Sequence, residues 1–144
     1  MPEMTHTHLV DQAPDAVIFA GADGRITTWN TAAERMFGFT AAEAMGQSLD
    51  IIIPERFRDA HWKGFERAMG DGVTKYAGQF LPTRAQKKDG SQFYVELGFA
   101  IIVVDGESVG AMATARDITE RFESDRAQRR KLKETEEELA KLRG

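Results

Sequence analysis

The sequence predicts an α+β fold in which five extended segments build an antiparallel sheet, helices lie between them, and one long charged helix follows. Three observations predict it. Residues 93–101 alternate strictly, with Phe93, Val95, Leu97, Phe99 and Ile101 on one side and Tyr94, Glu96, Gly98 and Ala100 on the other, the period of a strand with one buried face. The segments come in blocks: two strands, short helices, one longer helix, three strands. From Ile118 onward the composition changes, 15 of the last 27 residues being charged with no glycine before Gly144 and no proline, which is the character of a solvated helix.

Each element has a local reason. Leu9, Val10 and Ala13 form a short apolar-periodic piece that Pro14 ends, a first helix. "AVIFAGADGRITTWN" holds two β-rich runs around Asp23-Gly24, a dipeptide that tolerates positive φ and so predicts a tight hairpin. Asn30 is suited to cap the helix "TAAERMFG", which carries Ala33, Met36 and Phe37 on one face and stops at Gly38. Thr40 and Glu43 repeat the capping signature for a second short helix closed at Gly46. After "SLDIII", Pro54 suits the first position of a longer helix, Glu55 its positive end, and Gly70 to Gly72 its termination. Extended segments then run from about Lys75 to Gln86, from Gln92 to Val104 and from Ser108 to Ala115, joined by the turns "KKDG" and "DGE". In the final helix Ile118, Leu132 and Leu139 keep a seven-residue spacing, but Asp125 interrupts it and Arg129 and Glu136 fill the companion seam. That incomplete coiled-coil pattern is the kind a partner domain completes.

Composition narrows the function. A chain of 144 residues with 42% hydrophobic content can bury one ordinary core. A net charge of −4 and a pI near 5.4 provide no broad positive field, which argues against nucleic acid or an anionic membrane as partner. The absence of cysteine excludes disulfides, thiolate metal sites, cysteine nucleophiles and photochemistry through a cysteinyl adduct. The N-terminus has no signal pattern and no apolar run approaches the roughly 18–20 residues of a membrane span, so a cytoplasmic location is expected.

In this order, "DAVIFAGADGRITTWNTAAERMFGFTAAEAMGQSL", "KKDGSQFYVEL" and the terminal "RDIT" resemble the PAS sensory-domain family over about residues 7–119. The resemblance implies a PAS fold, a five-stranded antiparallel sheet with helices on one face, a pocket between them and a C-terminal signalling helix. It divides the chain into an N-terminal helical cap (1–14), a PAS core (15–117) and a charged signalling or coiled-coil helix (118–144). It also implies a sensory role in a bacterial-type signal-transduction or two-component protein, with homodimer formation through the terminal helices and an attached effector such as a histidine kinase or cyclase. Asp117-Ile118-Thr119 matches the family motif where the last strand hands over to that helix. Asp117 there can accept hydrogen bonds at the helix start, or pair with a nearby base such as Arg25 on the hairpin.

On the longer helix, Phe57, His61, Gly64, Phe65 and Ala68 lie within about 100° of one another, whereas Arg56, Asp59, Lys63, Glu66 and Arg67 lie mostly elsewhere. His61 is therefore expected to face inward, where at least one ring nitrogen needs a hydrogen-bonding partner or a metal. In the heme-binding oxygen-sensor branch of the PAS family a histidine on this helix is the proximal iron ligand, and "Arg-Asp-Ala-His61" is similar to that segment. The resemblance thus implies heme b on His61, with Phe65, Gln79, Leu81, Leu97, Phe99, Ala113 and Ala115 around the cofactor and a gas or other small molecule as the sensed ligand. Counted back from "KKDG", the branch's ligand-sensing arginine falls on Leu81 and the distal methionine of some relatives on Gln79. The arginine is missing, and Gln79 stands as an alternative hydrogen-bond donor. Ala111, Ala113 and Ala115 share a face of the last strand and, pointing inward, leave volume for a ligand or a bulky neighbour.

Histidine followed by Gly-Phe on this helix also occurs in PAS domains with no link to heme. A packed or hydrogen-bonded His61 in a cofactor-free dimerisation module therefore stays open. Flavin is a lesser candidate, with Trp29 and Asn30 flanking the isoalloxazine. His6 and His8 alternate like a metal pair but lack further ligands, and Asp50, Glu55 and Asp59 read as helix-end and surface charges. No phosphate loop, zinc-protease helix or nucleophile elbow is present, and no residues suggest catalysis within this chain.

Overall fold

Asp23 and Gly24 turn the chain between β1 (Ala16–Gly21) and β2 (Ile26–Trp29), with Gly24 at φ +77°. The computed structural model describes residues 2–143. Met1 and Gly144, the outermost residues of the two expected terminal segments, lie outside it, as do the side chains of Phe122 and Arg143. Short helices follow the order expected: α1 (His6–Asp11) precedes β1, and α2 (Thr31–Phe37) and α3 (Ala41–Ala44) follow β2. Asn30 Oδ1 accepts from Ala33 N at 3.1 Å to start α2, which ends at a left-handed Gly38. Thr40 and Glu43 close a capping box on α3.

A 3-10 turn, Leu49–Ile52, leads into α4 (Glu55–Asp71). Ser48 caps that turn, an element the sequence reading left unassigned. Pro54 stands one position earlier than expected, as the residue that precedes the helix, and Gly72 closes α4 in the left-handed conformation. Three strands complete the sheet: β3 (Phe80–Gln86), β4 (Gln92–Val104) and β5 (Glu107–Asp117), followed by α5 (Thr119–Arg143). The third strand begins later than Lys75. Ala77 N bonds Thr74 O and Gln79 N bonds Tyr76 O, so residues 74–79 are coiled into turns and cannot extend.

All neighbouring strands are antiparallel, in the order β2-β1-β5-β4-β3. Residues directly opposite across a ladder point to the same side, so the register assigns the faces. Ala16, Ile18 and Ala20 on β1 lie opposite Ala115, Ala113 and Ala111 on β5. Those in turn lie opposite Leu97, Phe99 and Ile101 on β4, and Leu97 lies opposite Leu81 on β3. This is the inner, helix-covered face. The outer face carries Val17, Phe19, Thr114, Met112, Gly98, Ala100 and Phe80.

The core is not uniform along the inner face. One half is closed: Ala16, Ile18, Trp29, Ala33, Phe37, Phe93, Val95 and Ala115 are buried together with α2 and α3. Phe37, with no exposure at all, meets Trp29 and Phe93 at ring separations of 5.5 Å each, an arrangement that buries a full phenyl side chain and contributes about 1.5–3 kcal/mol through area alone. The other half lies toward α4, which has no fully buried residue and packs on β5, and there Phe99, Ile101, Ala111 and Ala113 remain half-buried, while Leu97 packs against the closed half.

Candidate functional site

The half-buried stretch of the inner face and the inner side of α4 make the candidate site. On α4 that side consists of Arg58, His61, Trp62, Phe65, Ala68 and Met69. Phe57 and Gly64, expected on the same stripe, are exposed instead: the helix is rotated toward Trp62, whose indole finds partners across the fold, while the Phe57 ring lies 4.6 Å from the Arg56 guanidinium. Trp62 Nε1 donates to Asp50 Oδ1 at 2.7 Å. Its ring also lies against the hairpin turn, where a Cβ added to Gly24 would stand 2.6 Å from Trp62 Cη2 and Cζ3. Asp50, read from sequence as a helix-end charge, is therefore the indole's acceptor. The sequence signal for Trp62 is a large aromatic next to an inward-facing histidine.

His61 is half-buried. Its ring meets Trp62 edge-on at 4.7 Å and lies 6.3 Å from Phe65. Nδ1 is shut off from solvent and has no hydrogen-bond partner among the described residues. Burial pushes the imidazole below its ordinary value of 6.5, with Asp50 pulling the other way. The ring is thus neutral at neutral pH, with a lone pair free to bind a metal or accept a proton. A buried nitrogen without a partner costs about 1–3 kcal/mol, so the site carries a polar group that no described residue satisfies.

The sheet side is apolar. Leu81, Leu97, Phe99, Ala113 and Ala115 share the inner face, Ala115 in the closed core, Leu97 packed against it, and Ala113 on the strand that meets α4. Ala111 and Ala113 are half-buried on this face, whereas Ala115, 1% exposed, is packed into the closed core. Gln79 is not part of this surface: it is exposed in the turn ahead of β3, because the Thr74–Gln79 coil keeps it out of the strand. Trp29 and Asn30, the residues offered for the lesser flavin reading, are core and cap residues. Trp29 is 4% and Asn30 2% exposed, Trp29 Nε1 is spent on Phe39 O at 3.0 Å, and both ends of the Asn30 amide are bonded, so neither can flank a ring system. Among the described residues no cluster of three or more metal-ligating side chains exists, and His8 Nδ1 is occupied by its own cap with Thr5.

At the junction, Asp117 Oδ1 accepts from Thr119 N at 2.9 Å and starts α5. Thr119 Oγ1 accepts from Tyr94 N at 3.1 Å, Ile118 N donates to Tyr94 O at 3.0 Å, and Ile118 is buried. The pairing of Asp117 with Arg25 is not formed. Arg25 lies at the hairpin and donates to Gly46 O at 2.9 Å, bridging the sheet to the loop after α3. Arg121 instead reaches Glu96 on β4 at 2.9 Å, and Arg116 pairs with Asp15.

A sheet in this order with helices on one face, a loosely covered apolar stretch and a helix leaving its central strand defines a sensory-module architecture. The sequence pattern of the PAS domain family matches residues 14–120, and the chain belongs to that family. It is 32% identical over 117 residues to the sensor protein FixL of Bradyrhizobium diazoefficiens, covering 79% of this chain and 23% of that protein. It is 24% identical over 108 residues to the oxygen sensor protein DosP of Escherichia coli, covering 75% of this chain and 13% of that one. The crystal structure of the PAS domain of a Colwellia psychrerythraea protein superposes with a TM-score of 0.68 at 24% identity, over 78% of this chain and 92% of that one. The chain spans between 13% and 23% of the length of the curated relatives it matches. No helix among the described residues is long and apolar enough to cross a membrane.

Proposed function

We propose that this PAS domain senses a small ligand between α4 and the inner face of the sheet, with heme as cofactor and His61 as the iron ligand, and relays the change through α5. The observation that carries the reading is the buried, unpartnered Nδ1 of a neutral imidazole beside a half-covered apolar surface. The residues present suit the group: His61 offers a nitrogen ligand, and Phe65, Leu81, Leu97, Phe99 and Ala113 offer apolar walls. Bound there, heme would supply an iron to which a diatomic gas can attach. Similarity to a protein named as an oxygen sensor supports this choice of ligand class. The chain's own part is to hold the cofactor, exclude water and link the sheet to Asp117, Ile118 and Thr119. An effector such as a histidine kinase or cyclase then reads α5.

The test is a visible spectrum of the protein produced with ample heme. A Soret band that vanishes in His61→Ala, with circular dichroism unchanged, supports the reading; a colourless wild-type protein ends it.

A second reading, a cofactor-free pairing module, is favoured by the outer face. There Phe80 is 65% exposed over Gly98, and Leu132 and Leu139 on α5 are exposed on their seven-residue spacing. It predicts a homodimer by sedimentation that His61→Ala leaves intact and Phe80→Glu weakens.

A further inference from the structure

Consecutive residues on a helix diverge by about 100°, so the rings of His61 and Trp62 meet at 4.7 Å only because each side chain is turned toward the other. Three contacts hold the indole in that orientation. Its N–H is anchored on Asp50 Oδ1, a bond of 2.7 Å that spans from α4 to the 3-10 turn. Its far edge is seated on Gly24, where the absence of a Cβ is what admits the ring. Its other side meets Phe65 edge-on at 5.3 Å. His61, in contrast, has no hydrogen bond of its own among the described residues. Of the two rings against the imidazole, the anchored indole is the nearer, at 4.7 Å against 6.3 Å for Phe65.

We infer that Trp62 is the positioning residue of the candidate site: held by Asp50 and Gly24, it sets the orientation of the His61 ring in place of the usual hydrogen bond to the second ring nitrogen. The inference rests on the reading of His61 as the ligand-contacting group, and adds a residue pair that aims it. Histidines that bind metals are ordinarily oriented by a carboxylate or carbonyl on their other nitrogen. Here the carboxylate of Asp50 acts one step removed, through the indole. Any displacement of the imidazole must press on a ring wedged against the β1–β2 hairpin, so the same contact connects the site to the edge of the sheet.

The experiment reads the His61 ring directly. In the heme-free full chain, the ring-proton resonances of His61 are assigned by comparison with His61→Ala and followed in Asp50→Ala, Trp62→Phe and the double variant. All three substitutions are expected to shift those resonances; because the Asp50 charge also acts on His61 directly, Asp50→Asn, which removes the charge but keeps an oxygen acceptor for the indole N–H, is the control expected to leave the cross-peaks between the two rings unchanged, whereas Asp50→Ala weakens them. Asp50→Ala keeps every aromatic ring and so serves if Trp62→Phe fails to fold. With hemin added, the single variants are expected to retain heme about 10- to 100-fold less well against a heme scavenger, the range for losing an orienting partner. Shifted ring resonances without any heme band uphold the positioning role while removing the heme reading. A heme band with ring resonances and heme retention unchanged in Asp50→Ala overturns the positioning role.

Discussion

Asn30 Oδ1 accepts from Val17 N at 2.8 Å while also capping α2 through Ala33 N, so one amide oxygen joins the first strand to the first core helix. Its Nδ2 donates to Val10 O at 2.8 Å and Asp15 O at 3.0 Å, tying α1 and the strap before β1 to the same point. The side chain is 2% exposed, so water cannot replace these partners. Asn30→Ala removes a helix cap, worth about 1 kcal/mol, and strips buried backbone groups of their partners at about 1–3 kcal/mol each. The expected loss is about 3 kcal/mol in urea unfolding. A loss below about 1 kcal/mol would mean that the strap reorganises and that the amide is not the organising point.

Gly110 on β5 leaves no room for a side chain. A Cβ there would stand 2.3 Å from Ala20 O and 2.4 Å from Phe19 Cζ. The phenyl can swing away, but the carbonyl belongs to the backbone of β1, next to the Gly21–Gly110 end of the ladder. Gly110→Ala is expected to destabilise the chain by about 2–3 kcal/mol, with the faster amide exchange confined to the β1 and β5 ends. Gly70→Ala, which meets nothing within 4 Å, is the control and is expected to be neutral or stabilising.

How far the sequence foretold this molecule follows from where the decisive contacts lie. Asn30, Thr40 with Glu43, and Asp23-Gly24 act on backbone within a few residues of themselves, so their caps and turn were readable in order. The inner face of β4 was readable from strict alternation. By contrast, the start of β3 is set by the turns at Thr74–Gln79, whose only sequence mark is Gly78, and apolar content alone pointed to a longer strand. The rotation of α4 was less accessible still. The stripes through Phe57 and through Trp62 differ by a fraction of a turn, and the choice depends on Asp50 and Gly24, which no periodicity within the helix can reveal. The same holds for Arg25, whose partner is Gly46 O, 21 residues away, and not Asp117.

Thr119 exchanges hydrogen bonds with Tyr94: its Oγ1 accepts from Tyr94 N and donates to Tyr94 O at 3.3 Å. These bonds fix the first turn of α5 to the start of β4, beside the Arg121–Glu96 pair. Thr119→Val keeps the shape and removes both bonds, at an expected cost of about 1 kcal/mol. The informative measurement is amide exchange in residues 119–123. It should accelerate more than global stability explains, while Thr119→Ser restores protection. Equal acceleration throughout the sheet would show that the junction is not a separately coupled element.

His61 and, lower on the pH scale, Glu43 with Asp89 give the chain separate pH dependences. Burial holds the His61 imidazole below 6.5, so between the folded value and 6.5 the unfolded chain binds more protons than the folded one. Stability contributed by the neutral ring is therefore complete above 6.5 and is lost as pH falls through the folded value. Glu43 acts lower. The hydrogen bond from Lys88, with that from Thr40 N behind it, brings its carboxyl from 4.5 down to about 2, so its contribution is complete above 4.5 and disappears as pH falls toward 2. Unfolding free energies measured across both windows should decline first with the His61 step, then with the Glu43 step. His61→Leu is expected to flatten the upper step and leave the lower one, and Glu43→Gln to reduce the lower step and leave the upper, the remainder belonging to Asp89, which hydrogen bonds from Ser91 hold below its ordinary value. Parallel curves for wild type and His61→Leu through the upper window would show that the ring is solvated in the folded chain, which would remove the physical basis for the site.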